Sequence, residues 1–269
     1  MQAAKARFEK QGLKLAAISY DSEAILKFFA GRQKIDLPLL ADPDSKVIRE
    51  YGVLNTEAAG QFKGMARPGY FVIDPQGVIR EKFFEAKYRE RLSGNNVVAK
   101  LFPELGEEVV NTVEAPHLEI AVQQSDRAGV PGSLVTLTAE VRLPRDVHVY
   151  APGTQGYKTV ELVIDPAPNL QFRPAVYPAS KVLLLQAINE RVPVFEGTFH
   201  IRQDVKIGTA AEFSGALPPE GKTITIHATL RYQACDSTTC FIPNSAPVEW
   251  QLKVLPLDRQ RAPEDIRHK

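Results

Sequence analysis

Apolar positions along this chain follow two different periods. Over the first hundred residues, stretches with apolar side chains three or four apart alternate with short continuous apolar runs, the pattern of helices interleaved with buried strands. Residues 1–11 read as a helix ended by Gly12, and 13–19 as a buried strand. Asp21 and Ser22 can cap a helix over 23–32, whose Ile25, Leu26, Phe28 and Phe29 supply a core-facing stripe. A short strand over 37–40 leads to Asp42-Pro43, where the aspartate is a natural N-cap and the proline fits the first helical position. A hairpin is expected over 70–84, turning at Asp74-Pro75-Gln76-Gly77, and a last helix over about 95–101.

From about residue 117 the period falls to two. Segments 117–123, 134–143, 159–165, 170–176, 194–202, 223–233 and 248–254 read as strands, with Pro, Gly, Asn and Asp between them. The pattern therefore predicts an α/β domain over 1–105, a polar linker without periodicity over 106–116, an all-β domain over 117–256 and a charged, disordered tail over 257–269. Seven or more short strands with turn signals point to a β-sandwich of immunoglobulin type for the second domain.

Length agrees with two domains, since 269 residues can bury two ordinary cores. The 33 basic and 32 acidic residues nearly cancel, and no Lys/Arg run carries interleaved aromatics, so nucleic acid is not an expected partner. No apolar stretch approaches the roughly 20 residues of a membrane-crossing helix. The first residues, with Lys5, Arg7, Glu9 and Lys10, have the look of an amphipathic helix and not of an export leader. The compartment is left open: a cytoplasmic location is expected of the chain as written, and a periplasmic one if a leader is missing from the N-terminus.

Candidate chemistry concentrates in one place. The chain has two cysteines, Cys235 and Cys240, with apolar or aromatic residues on either side and Asp236-Ser237-Thr238-Thr239 between them. If the flanks are strands, the two thiols face each other across a hairpin and can close a disulfide. Such a pair is either an exchanging dithiol or an inert staple. Zinc would need two further ligands, and His148, His200 and His227 show no spacing that brings a pair to the cysteines. No nucleophile elbow, P-loop or Gly-rich dinucleotide fingerprint occurs, so neither a hydrolase nor a cofactor is expected. Asp42 and Asp44 have the character of helix-capping residues, not of an acid/base pair.

Two family resemblances add to this. Residues 39–53, Leu-Leu-Ala-Asp-Pro-Asp-Ser-Lys-Val-Ile-Arg-Glu-Tyr-Gly-Val, followed by 67–79, Arg-Pro-Gly-Tyr-Phe-Val-Ile-Asp-Pro-Gln-Gly-Val-Ile, resemble the later part of an AhpC/TSA-type redoxin of the thioredoxin fold. The resemblance covers nearly all of residues 1–105 and implies that Pro68 is a cis-proline facing the redoxin's active-site cysteines. Those redoxins carry a nucleophilic cysteine between the first strand and first helix of the fold, whereas this chain starts inside that helix and has no cysteine before Cys235. The expectation is an incomplete thioredoxin-like fold, lacking its middle strand, in a fragment or in a degenerate scaffold; peroxidase activity is not expected from it alone.

The run 232–243, Tyr-Gln-Ala-Cys-Asp-Ser-Thr-Thr-Cys-Phe-Ile-Pro, is similar to the active-site segment of the amino-terminal domain of the bacterial thiol:disulfide interchange protein DsbD, with further agreement over 144–153, 176–179 and 192–199. That resemblance implies an immunoglobulin-like domain that exchanges electrons with a thioredoxin-like or disulfide-bearing protein partner through Cys235 and Cys240. It departs from the best-known members in having four residues, not five, between the cysteines. Cys240 is the preferred exchanging thiol, with Phe241 and Pro243 as an apolar landing surface and Tyr150 and Tyr232 shielding or orienting the pair. The rival reading is a non-catalytic scaffold in which the same pair is a structural disulfide.

Overall fold

In the computed structural model all residues are described except 86–89, 103–104, 106–107, 186–188, 214–216 and 268–269, and the side chains of Gln61 and Glu108. The molecule is mostly β, with few helices, and divides into two units, Met1–Pro103 with Leu257–Lys269, and Glu104–Pro256.

In the first unit, helix α1 (Lys5–Lys10) follows a 3-10 turn, and its Phe8 packs with Ala4 against Val97 and Val98 of helix α4 (Gly94–Leu101). Ser93 begins α4 with a capping box: its hydroxyl accepts from Asn96 N, and the Asn96 side chain accepts from Ser93 N, satisfying donors that a helix start leaves open. Helix α2 (Glu23–Gln33) is capped by Ser22, whose hydroxyl accepts from Ile25 N. Strands β1 (Ala17–Ser19) and β2 (Leu39–Ala41) pair in parallel, and β3 (Gly69–Ile73) with β4 (Ile79–Phe84) makes the expected hairpin. No ladder joins these two pairs among the described residues.

Three expectations are corrected in this unit. Helix α3 (Lys46–Glu50) begins at Lys46, not at Pro43. Asp42 caps it from a distance, accepting from Lys46 N and Ile48 N at 2.9 Å each while Ser45 turns through φ 53°. The bond before Pro68 is trans, as are the other described peptide bonds. The trans isomer is favoured by about 0.5–1 kcal/mol at an X-Pro bond. The charged tail is not detached either. Asp258 accepts from Arg32 at 2.5 Å and from Gln33 at 2.7 Å, and Glu264–Ile266 forms a 3-10 turn. The basic end of α2 provides the counter-charge that a free tail would lack.

The second unit is built from strands β5 (Glu108–Ala115), β6 (Leu118–Gln124), β7 (Ala128–Gly129), β8 (Leu134–Arg142), β9 (His148–Tyr150), β10 (Glu161–Ile164), β11 (Leu170–Phe172), β12 (Lys181–Leu185), β13 (Glu190–Glu196), β14 (Thr198–Ile207), β15 (Lys222–Tyr232), β16 (Ala234–Cys235) and β17 (Asn244–Val254). They form three sheets in the orders β10-β15-β17-β7, β11-β14-β8-β6-β5 and β12-β13-β9-β16. Inward residues of all three meet in one core that includes Ile120, Leu137, Val149, Phe195, Ile201, Ile226, Leu230 and Trp250. Burying each such side chain contributes about 1.5–3 kcal/mol, which accounts for the strict alternation along β14, β15 and β17. Trp250, the sole tryptophan, is fully buried and donates its indole N–H to Gln123 O at 2.8 Å.

The expected linker 106–116 is instead strand from Glu108 to Ala115, paired antiparallel with β6; Gly106 and Glu107 lie outside the described residues. Val110, Val113 and Ala115 pack on the core, a weak apolar alternation that the surrounding charges conceal in the sequence. The expected strand over 194–202 is two strands in different sheets, divided by Gly197 at φ 63°, a left-handed conformation that glycine adopts without Cβ strain.

Candidate functional site

Strand β15 ends at Tyr232, and after Gln233 the chain leaves one sheet and joins another, where β16 pairs with β9 so that Cys235 lies opposite His148 and Ala234 opposite Val149. Neighbouring residues of a strand face opposite ways. Val149 and Ala234 therefore point into the main core, while Cys235 and Tyr150 point out, into a small separate cluster with Val192 and Val194 that Tyr157, Leu183 and Leu185 flank.

The sequence-predicted hairpin is present. Cys235 and Cys240 form an antiparallel bridge, their Cα atoms 4.0 Å apart, and the sulfurs are bonded. Asp236 organises the loop between them. Its carboxylate accepts from Thr238 N and Thr239 N at 2.7 Å each and from the Thr238 hydroxyl at 2.8 Å, while its own N–H donates to Thr239 O. The backbone N–H groups of Thr238 and Thr239, with the Thr238 hydroxyl, hold that carboxyl below its ordinary value.

The two sulfurs are not equivalent. Cys235 is fully buried, whereas Cys240 is exposed at the end of the loop. The Tyr150 hydroxyl lies 3.5 Å from Cys240 Sγ and 3.7 Å from Cys235 Sγ. Disulfide sulfurs carry no proton, so the hydroxyl is the donor to whichever sulfur it serves. Burial pushes the Tyr150 phenol up, keeping it protonated and able to donate. Its ring packs on Tyr157 at 4.2 Å, and Tyr157 donates to Glu190 at 2.7 Å, a bond that pushes the Tyr157 phenol up to about 12.

The other sequence candidates divide. Tyr232 belongs to the main core, its hydroxyl donating to Pro116 O at 2.8 Å, so it stands apart from the pair that it was expected to shield. Phe241 follows Cys240 directly, but its ring stacks on His117 at 3.8 Å and packs against the core. The exposed apolar residue beside Cys240 is Ile242, 86% accessible, which sequence reasoning passed over. Pro68 lies in the first unit, lining a cavity of about 240 Å³ with Tyr70, Phe83, Arg91 and Leu92. The sequence set His148 aside for want of a spacing that brings it to the cysteines, whereas the register places it opposite Cys235. Its spacing of two from Tyr150, which puts both on one strand face, was the available signal. Among the described residues no group of three or more His, Cys, Asp or Glu could hold a metal, and no helix is long and apolar enough to cross a membrane.

Comparison with known proteins bears on the first unit above all. Residues 1–82 match the AhpC/TSA family. Peroxiredoxin TSA1 of Saccharomyces cerevisiae is 42% identical over 86 residues, which are 29% of this chain and 41% of the yeast protein. The chain thus spans about two-fifths of the length of that curated relative. Among solved structures, the N-terminal periplasmic domain of ScsB from Proteus mirabilis is similar over 52% of this chain and 49% of that one, at 10% identity and TM-score 0.37. The DsbD N-terminal domain of Neisseria meningitidis in the reduced form is similar over 42% of this chain and 74% of that one, at 15% identity and TM-score 0.28. Over residues 1–82 the chain therefore carries an AhpC/TSA domain with peroxiredoxin relatives, and it holds both its cysteines outside that domain.

Proposed function

We propose that the protein is a thiol:disulfide exchange protein whose working pair is Cys235 and Cys240, carried on an immunoglobulin-like β-sandwich, with residues 1–105 as a thioredoxin-like partner domain that has no thiol of its own. The observation that carries this is the asymmetry of the disulfide: Cys240 is an exposed residue and Cys235 a fully buried one, with the Tyr150 hydroxyl within 3.7 Å of both sulfurs. A partner thiolate reaches Cys240 Sγ; the Cys235–Cys240 bond breaks, and its electron pair leaves on Cys235. The partner is now joined to Cys240. A second partner thiol, once ionised, attacks the partner sulfur of this mixed disulfide, so the partner leaves oxidised and both cysteines leave reduced. Tyr150 donates to the sulfur on which negative charge develops, the role of a preorganised donor. Exposed Ile242 gives the incoming protein an apolar contact beside the reacting sulfur.

The partner is a thioredoxin-like or other disulfide-bearing protein, in keeping with the resemblance of residues 232–243. The complete burial of Cys235 favours one second reading, a scaffold protein with a structural staple. Equilibration of the oxidised chain with reduced thioredoxin, followed by thiol alkylation, separates the two. An exchanging pair reaches equilibrium within minutes, and in the Cys235→Ser variant the lone Cys240 thiolate attacks a single-cysteine thioredoxin supplied as a mixed disulfide with an aromatic thiol, expels the aromatic thiolate and remains joined to the partner. A pair that remains oxidised until potentials below about −300 mV is a staple, and the exchange reading falls.

A further inference from the structure

We propose that His148 is the hydrogen-bond partner of the Cys235 sulfur once the disulfide opens, its Nε2 then sharing the proton of the Cys235 thiol. Three observations meet on this residue. First, β9 lies between β13 and β16, and its register sets Glu196, His148 and Cys235 side by side across three adjacent strands, on the face away from the main core. Directly opposed residues of antiparallel strands have Cβ atoms about 4.5–5.5 Å apart, which puts the imidazole within a rotamer change of the sulfur. Second, His148 is 4% exposed, and its Nε2 is buried with no hydrogen-bond partner. A buried polar atom without a partner is a cost that folded proteins seldom carry unexplained. Third, the neighbour that could satisfy it is a disulfide sulfur, which has no proton to donate while the bond is closed. Reduction changes that neighbour: a thiol appears opposite the unsatisfied nitrogen.

The groups around the ring are consistent with this role. Tyr150 meets it edge-on at 5.5 Å from the same strand, Glu196 faces it from β13 with Lys181 3.4 Å from the glutamate, and Asp236 approaches from the hairpin loop. Burial pushes the imidazole down against the pull of Glu196 and Asp236, which leaves the ring neutral and able to accept from a thiol at neutral pH. A buried thiol in apolar surroundings ordinarily ionises with more difficulty than a free one. When the thiol's proton passes to Nε2 the imidazolium faces the thiolate as an ion pair, which reverses that tendency, so Cys235 becomes a readier nucleophile when the disulfide re-forms. His148 is on this account a positioning residue for Cys235, distinct from Tyr150, which already touches both sulfurs in the closed state.

The inference rests on the reading of Cys235–Cys240 as a pair that opens, and the test is arranged so that the two can fail separately. In the full-length Cys240→Ser variant, Cys235 is a lone thiol whatever the exchange activity of the native pair. Its ionisation is followed by thiolate absorbance against pH, with and without His148→Phe. Loss of the imidazole is expected to weaken the acidity of Cys235 by about tenfold, one pH unit. Identical titrations in the two proteins overturn the inference. A second measurement needs no substitution: in the wild-type chain the imidazole nitrogen resonances of His148 are expected to move on reduction with dithiothreitol, and resonances that stay in place overturn it equally. A disulfide that fails to exchange with thioredoxin, while Cys235 still responds to His148→Phe, removes the proposed function and leaves this contact standing.

Discussion

Tyr150 serves both sulfurs with a single oxygen, and that sharing determines what its loss should do. Hydrogen bonds to a charged group are worth about 1.5–3 kcal/mol, and part of that is realised only when a thiolate forms. Tyr150→Phe is therefore expected to slow exchange with a dithiol partner by at least about tenfold while leaving the disulfide formed, as stopped-flow reduction by thioredoxin would record. At this scale the sequence was informative about chemistry and poor about surroundings. A lone pair of cysteines five apart identified itself, and Tyr150 stood out within a segment resembling a known active-site neighbourhood. Tyr232 and Phe241 were placed beside the pair by proximity in sequence, yet the change of sheet at Gln233 sends Tyr232 into the main core, and a ring stack on His117 occupies Phe241. His148 was set aside because its spacing shows no link to the cysteines until the register across β9 and β16 is known.

Two elements hold the pair in place, and each yields a test. The hairpin loop depends on the ionised Asp236. Because that carboxyl is held below its ordinary value in the folded protein, its contribution is present above the unfolded value of about 3.9 and is lost as pH falls through the lower folded one. Reduction by a phosphine is thus expected to accelerate in the wild type only at pH below the ordinary aspartate value of about 3.9, as Asp236 itself protonates. In Asp236→Ala the loop lacks its anchor at every pH, and the same rate should be fast at neutral pH as well. The second element is the crossing at Gly197, which lets β13 join the sheet of the disulfide and β14 the sheet of the main core. Left-handed backbone costs a non-glycine residue roughly 1–2 kcal/mol, and no neighbour lies within 4 Å of a Cβ built there. Gly197→Ala should accordingly lower stability by about 1 kcal/mol in a urea titration, with Gly197→Asn closer to wild type. The alternation of apolar side chains made β8, β15 and β17 legible from sequence. It could not divide 194–202 into two strands, since the period of two runs unbroken across the glycine, and it missed β5, whose inward residues are few and interrupted by Glu and Asn.

The whole chain consists of two units with separate cores, and the disulfide belongs to the second. A bond closing so small a ring adds about 2 kcal/mol by the loop-entropy estimate, so reduction should lower the stability of the second unit by that amount without unfolding it, as a urea titration with and without reductant would measure. Removal of residues 257–267, which bond Arg32 and Gln33 through Asp258, is expected to weaken the first unit alone, seen as loss of amide protection in α2 by hydrogen exchange with none in β15 or β17. The change of period near residue 117 announced two units, whereas the tail's return to the first was invisible, because a charged segment gives no sign of which opposite charge it will find. Trp250 carries a last consequence. Since it is the sole indole and is sealed in the larger core, the tryptophan emission of this protein, excited apart from its tyrosines, is an optical gauge of one unit only. An emission spectrum that holds steady through a titration is silent about the AhpC/TSA domain, which could melt entirely in the dark.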